Sequence, residues 1–234
     1  QVERVAGLAE QVFQSQDLRL CDQFGERLAG RSHSGYRKLL AWKGPLERFI
    51  CLESPCLVTG SLEFLFQSLH SWGFVLGSSE EASFRKYVWK PSIYLRTPLT
   101  NEQLAFAAPT CLLASRRDSL SWDRFSDQLE EVRAWSRHLN LAQGETAFLN
   151  YLMVTARAPR TSLLEWIRQG KDRRCVLWAG QRGGRVHGGT VSFLDGREVV
   201  LVHWAGCWKS HWWRRRPYQK LWDYYQGLAP ASRS

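Results

Sequence analysis

Short apolar runs alternate along the chain with segments whose apolar positions recur at helical spacing. Run length and period predict strands at residues 18–21, 49–52, 74–76, 106–114 and 199–204. They predict helices at residues 3–15, 36–42, 62–69, 123–139, 145–154 and 217–226. Strands that alternate with helices favour an α/β fold, in which helices flank a sheet.

Residues 47–60, ERFICLESPCLVTG, interrupt this pattern in an informative way. The apolar run at residues 49–52 ends in Glu53-Ser54-Pro55, and a second apolar run follows at once. In open α/β sheets, ligands bind beyond the carboxyl ends of strands. Glu53 is therefore a candidate for holding a metal ion or a polar ligand; the alternative is a solvent-exposed residue at a strand end.

Composition is that of a folded domain, with 44% hydrophobic and 23% charged residues among 234. The sequence contains no apolar stretch long enough to span a bilayer. Its first residues, QVER, lack the features of a signal peptide, which predicts a cytoplasmic location. None of the six cysteines forms a C-x-x-C pair, which argues against a zinc ribbon or a redox motif. The length of the chain and the lack of a secretion signal argue against a disulfide scaffold.

A formal net charge of +10 predicts an anionic partner or a solvated basic face. Basic and aromatic residues interleave in the segment 203–226, which includes three consecutive arginines at 214–216. Such interleaving suits single-stranded nucleic acid. The patch is short and no RNA-binding motif accompanies it, which disfavours nucleic acid. Peripheral contact with an anionic membrane remains open.

Several separated motifs resemble those of the glycogenin-like, family 8 glycosyltransferases, which have the GT-A fold. They are Lys38-Leu39-x-x-Trp42, Glu53-x-Pro55-Cys56-Leu57-Val58, FAAPT at residues 106–110, Glu145-Thr146-Ala147-Phe148-Leu149-Asn150 and His203-x-x-Gly206-x-x-Lys209. The resemblance implies one GT-A-like domain over residues 1–234, with a mixed, mostly parallel sheet flanked by helices. Because residues 3–15 resemble the helix that follows the family's nucleotide-binding strand-helix-strand unit, the chain is expected to be truncated at its N-terminus.

The resemblance also implies roles for individual residues. Glu53 and His203 would be ligands of a divalent metal, Mn²⁺ or Mg²⁺. Lys38, Gly206 and Lys209 would approach the diphosphate of a nucleotide-sugar, with a UDP-sugar as the leading donor and an unspecified acceptor. Glu145 would face the donor sugar as the catalytic candidate.

Each of these residues also has a simpler interpretation. Glu145 fits the charge preferred at a helix N-terminus. His203 lies in an apolar run that suits a core histidine, and Lys38 suits an exposed helix position. If the resemblance holds, Glu53, Glu145 and His203 converge on one cleft, with Lys209 at its rim.

The sequence departs from the family at the metal motif. Pro55 stands where the family has its second aspartate, so Glu53 and His203 are at most two protein ligands. Reduced activity, lost activity and metal-independent transfer are all compatible with this change. The alternative function is a non-catalytic protein whose basic, aromatic segment binds an anionic membrane surface or nucleic acid.

Overall fold

The computed structural model describes residues 15–77, 84–96, 98–204 and 217–228. The α-helices are Ser15–Ala29 (α1), Leu40–Lys43 (α2), Glu63–Ser68 (α3), Arg85–Val88 (α4), Asn101–Ala105 (α5), Phe125–Trp135 (α6), Thr146–Thr155 (α7), Leu163–Arg168 (α8) and Gln219–Leu228 (α9). The strands are Arg48–Leu52 (β1), Cys56–Val58 (β2), Phe74–Leu76 (β3), Leu112–Arg116 (β4), Arg160–Ser162 (β5), Arg174–Trp178 (β6), Arg185–His187 (β7), Thr190–Ser192 (β8) and Glu198–His203 (β9). Short 3-10 helices span Ser34–Leu39, Pro91–Tyr94, Arg117–Ser119, Trp122–Arg124, Ser136–His138 and Leu141–Gln143.

The strands form two mixed sheets, which confirms the α/β class. The first sheet has the order β1-β4-β3-β5, and the second has the order β2-β9-β8-β7 with β6 also paired to β9. The expectation of a mostly parallel sheet is wrong for the described strands, because two of their pairings, β3 with β5 and β6 with β9, are parallel and the others are antiparallel. Continuous apolar runs such as Phe74–Leu76 reflect burial on both faces, and burial does not fix strand direction.

Three apolar clusters lie in successive layers around these sheets. The largest packs one face of the first sheet against α1, α6 and α7. The second lies between the other face of that sheet, the second sheet, α3 and α8. The third packs the far face of the second sheet against α9. Each sheet is therefore covered on both faces.

Residues 18–21 form part of helix α1, so the strand predicted there is wrong. Cys21, Phe24 and Leu28 are buried and recur at intervals of three and four, so one face of the helix packs into the largest cluster. Four residues are too few to distinguish a strand from one side of a helix.

The short link at residues 53–55 carries the chain from one sheet to the other. The Glu53 amide donates to the Cys111 carbonyl at 3.0 Å, which extends the pairing of β1 with β4. The Pro55 carbonyl accepts from the Trp204 amide at 3.0 Å, where β2 begins to pair with β9. Proline has no backbone N–H to donate, and it is tolerated here because residue 55 contributes only its carbonyl to the sheet. The carboxylate and proline after β1 thus mark a change of sheet.

Two predictions fall largely outside the described residues. Of the helix predicted at 3–15, only residue 15 belongs to the described part of the chain. Residues 205–216 of the basic, aromatic segment 203–226 are also outside it. Within the described part of the chain, every helix is too short or too polar to cross a membrane.

Candidate functional site

A mostly buried lysine joins two carboxylates from distant parts of the chain. Lys38, in the 3-10 helix Ser34–Leu39, donates from Nζ to Glu53 Oε1 and, at 2.5 Å, to Glu145 Oε1. The Thr110 hydroxyl lies 3.2 Å from Glu53 Oε1 and 3.4 Å from the Lys38 ammonium. We call these four residues the Lys38 cluster. It unites a 3-10 helix, the link after β1, the segment before β4 and the start of α7.

Burial and charge act against each other in this cluster. The exposed fractions of the side chains are 13% for Lys38, 6% for Glu145 and 28% for Glu53. Burial alone would lower the pKa of Lys38, but the charges of Glu145 and Glu53 raise it above its usual value. Burial alone would raise the pKa of Glu145, but the Lys38 charge and hydrogen bond lower it. Lys38 and Glu145 therefore both stay ionised at neutral pH.

His33 lies against the outer side of Glu145. Its Nδ1 accepts from the Gly35 amide at 3.1 Å and lies 3.6 Å from Glu145 Oε2. This contact places the proton of the neutral ring on Nε2. Gly144, at φ +109°, brings its backbone against the imidazole, so that a β-carbon there would lie 2.9 Å from His33 Cε1. His33 is the more exposed of the two, with 32% of its side chain exposed against 6% for Glu145.

We expect Gly35→Ala to destabilise the protein by about 1–3 kcal/mol, because the added methyl would overlap the Glu145 carboxylate. That carboxylate is buried and ion-paired to Lys38, so it cannot move aside cheaply. Urea unfolding measures the change.

Gly227→Ala is the matched control, because nothing lies within 4 Å of its added β-carbon in helix α9. It should be neutral or slightly stabilising. Equal stabilities of the two variants would contradict the packing at Gly35.

A second contact attaches residues 106–110 to helix α7. Asn150 is fully buried, and its Oδ1 accepts from the Ala108 amide at 3.0 Å. Its Nδ2 donates to the carbonyls of Ala108 and Thr146, both at 2.9 Å. Thr110, at the end of the same segment, lies 3.1 Å from the Thr146 hydroxyl. Residues 106–110 and 145–150, two segments that carry the family resemblance, are therefore hydrogen-bonded to each other directly beside the Lys38 cluster.

His203 is a buried residue of β9. Its backbone pairs with Cys56 of β2 on one side and Trp178 of β6 on the other. Burial lowers the pKa of its imidazole to about 4, so the ring is neutral at pH 7, which is the form that binds metals. Among the described residues its Nδ1 has no hydrogen-bond partner. Gly206 and Lys209, which follow it in the predicted motif, lie outside the described residues.

The described donors do not fit a divalent metal. Across the residues that the structure describes, no three His, Cys, Asp or Glu side chains are grouped so as to hold one. Glu53 and Glu145 already share the Lys38 ammonium, and the Pro55 carbonyl accepts from Trp204. Oxygen-rich coordination of Mn²⁺ or Mg²⁺ would need more ligands than these.

Three of the six predicted site residues, Lys38, Glu53 and Glu145, thus come together. Lys38 is mostly buried rather than exposed, with 13% of its side chain accessible, and Glu145 is an ion-pair partner rather than a solvated charge at a helix start. Among the described residues, the His203 side chain makes no hydrogen bond or ion pair with Lys38, Glu53 or Glu145. His33 was not predicted, since nothing in its local sequence distinguishes it from other loop histidines.

Comparison of the chain with protein-family models, with characterised proteins and with solved structures found no match.

Proposed function

We propose that this protein is a GT-A-like, glycosyltransferase-like protein that binds a nucleotide-sugar, with a UDP-sugar as the leading ligand, at the Lys38 cluster. The convergence of Lys38, Glu53 and Glu145 carries the proposal. Family motifs mark all three residues, and Glu145 is 107 residues from Lys38 in the sequence. Their gathering, with residues 106–110 fixed alongside by Asn150, is what a nucleotide-sugar site of that family would require.

The carboxylates would hold the sugar. Carboxylate oxygens accept hydrogen bonds from hydroxyl groups, and Glu53 is the more exposed of the two at 28%. Glu145 is held by Lys38 and lies 3.6 Å from the more exposed His33, and it is the sugar-facing catalytic candidate that the family motif implies. A rigid arrangement of this kind orients a ligand without further ordering.

Transfer itself is proposed to be weak or lost. A departing nucleotide diphosphate needs a cation or fixed donors to stabilise its developing charge. The Lys38 ammonium is already matched by two carboxylates, so the cluster carries one net negative charge. Lys209 and the arginines at 214–216 are the remaining candidates for this positive charge.

Titration calorimetry with UDP-sugars, with and without Mn²⁺, tests the proposal. We expect weak binding that changes little with Mn²⁺, and we expect Glu53→Gln to weaken it about tenfold by removing a charged acceptor. Glu63→Gln, at an exposed position of helix α3, is the matched control and should bind like the wild type.

Strictly Mn²⁺-dependent binding would contradict the conclusion that the described side chains do not fit a divalent metal. Absence of nucleotide-sugar binding, together with salt-sensitive binding to anionic vesicles or oligonucleotides, would instead favour the alternative function, in which segment 203–226 binds anionic surfaces.

A further inference from the structure

A polar pocket of about 630 Å³ lies at the opposite end of β1 from Glu53. Three arginines line it: Arg48, Arg116 and Arg117. His70 lies beside them, and Leu69 contributes a backbone carbonyl that accepts from Arg116. We call this the arginine pocket. The five residue steps from Arg48 to Glu53 correspond to about 16 Å of strand, so it is separate from the Lys38 cluster.

The strand register places two of these arginines directly opposite each other. Arg48 of β1 and Arg116 of β4 are Cα partners in the antiparallel ladder. Directly opposed residues project from the same face of a sheet, and like charges at such positions are destabilising. Arg117 follows at once, with its amide bonded to the Glu47 carbonyl at 2.9 Å. Three guanidinium groups are thereby held at one end of the sheet, where an anion would relieve their repulsion.

The carboxylates of the pocket do not match this positive charge. Asp118 pairs with Arg116 at 3.0 Å, and Glu47 is the other lining carboxylate. Arg48 donates to the Phe66 carbonyl at 3.3 Å, and Arg117 donates to the Pro45 carbonyl at 3.4 Å. Within the described part of the chain neither of those two guanidiniums has a carboxylate partner. Three arginines against two carboxylates leave the pocket with a net positive charge.

Helix capping explains only part of this arrangement. The carbonyls of Phe66 and Leu69 lie at the C-terminal end of helix α3, where cations are favourable. These contacts are long, at 3.3 and 3.4 Å, and each uses one of the five donor hydrogens of a guanidinium. Capping does not account for Arg117, whose carbonyl partner belongs to a different segment.

We propose that the arginine pocket binds a phosphoryl group. Planar guanidinium groups match the oxygens of phosphate with paired, charge-assisted hydrogen bonds. The volume of the pocket is within the range of small-molecule sites and is larger than phosphate alone requires. The phosphoryl group would therefore belong to a larger compound. The source is a soluble phosphate ester or a lipid headgroup. Leu46, 62% exposed and next to Pro45, gives a lipid chain a surface to contact.

Titration calorimetry with inorganic phosphate, in buffers matched for ionic strength with chloride, tests this inference on the full chain. We expect saturable binding that Arg48→Gln and Arg117→Gln each weaken by about tenfold or more. Arg117→Gln removes one bond to an exposed carbonyl and should leave the fold intact, as its thermal unfolding would verify.

Arg185→Gln, at an exposed position of strand β7, removes the same charge elsewhere and should bind phosphate like the wild type. Glycerol phosphate and vesicles containing phosphatidic acid distinguish the two sources, since a headgroup site would bind such vesicles in an Arg48-dependent way. Equal weakening in Arg185→Gln, or a wild-type response no different from that to chloride, would overturn the proposal. Because Lys38 and Glu53 take no part, failure here would leave the nucleotide-sugar proposal intact.

Discussion

Replacing Lys38 with methionine is expected to lower the free energy of unfolding by about 3–5 kcal/mol, because it removes the cation from a buried ion cluster. Methionine keeps much of the side-chain volume, so the loss reports charge rather than a cavity. Glu145, with 6% of its side chain exposed, would be left as an unpaired buried carboxylate. Urea unfolding monitored by circular dichroism measures the difference.

The pH dependence of the Lys38→Met variant has a predictable sign. In the wild type the lowered pKa of Glu145 contributes stability above its ordinary value of 4.5, and that stability is lost as the pH falls through the folded-state pKa. Without Lys38, burial would raise the pKa of Glu145, and the ionised form would oppose folding. The deficit of the variant should therefore begin to shrink above pH 4.5, where its buried Glu145 takes up a proton, and should shrink further below pH 4.5, where the wild type loses its own contribution.

Two further variants make this result specific. Lys90→Met removes an exposed lysine and should change stability by about 0.5 kcal/mol or less. Adding Glu145→Gln to Lys38→Met should recover part of the loss, because the buried group is then neutral. A Lys38→Met variant as stable as Lys90→Met at neutral pH would show that the cluster contributes nothing to the fold.

Several strands could be predicted because a short apolar run with polar flanks identifies a buried strand without any tertiary information. The segments at 49–52, 74–76 and 199–204 coincide with β1, β3 and β9 within a residue or so. The hairpin of β7 and β8 was not predicted, because its six residues include polar and charged side chains beside glycines. The sheet order could not be predicted either, since it depends on which strand ends the connections bring together.

The candidate site was partly predictable for a related reason. Glu53 follows a buried strand, and that position alone marks it as a ligand candidate. Its partners Lys38 and Glu145 were singled out by family motifs, whereas their contact requires the 3-10 helix and helix α7 to pack on the same edge of the first sheet. His33 meets Glu145 through the backbone geometry of Gly35 and Gly144, which local sequence does not reveal.

Asn150→Asp is expected to destabilise the protein by about 3 kcal/mol or more, because it replaces a fully satisfied amide with a buried carboxylate. The aspartate could still accept from the Ala108 amide, but it could not donate to the carbonyls of Ala108 and Thr146. Its charge would face those two oxygens at a site with 0% exposure. If residues 106–110 form part of the ligand site, nucleotide-sugar binding should weaken in parallel, measured by calorimetry below the unfolding transition.

Asn101→Asp applies the same chemical change at an exposed position in the first turn of helix α5. A negative charge is favourable there, so this variant should be neutral or more stable by a few tenths of a kcal/mol, roughly the helix-dipole effect. The comparison separates loss of the Ala108 contact from the general effect of an added charge. Similar unfolding curves for the two variants would show that Asn150 does not hold residues 106–110 in place. A stable fold with Asn150→Asp but undiminished ligand binding would remove that segment from the proposed site, while Lys38, Glu53 and Glu145 would remain in it.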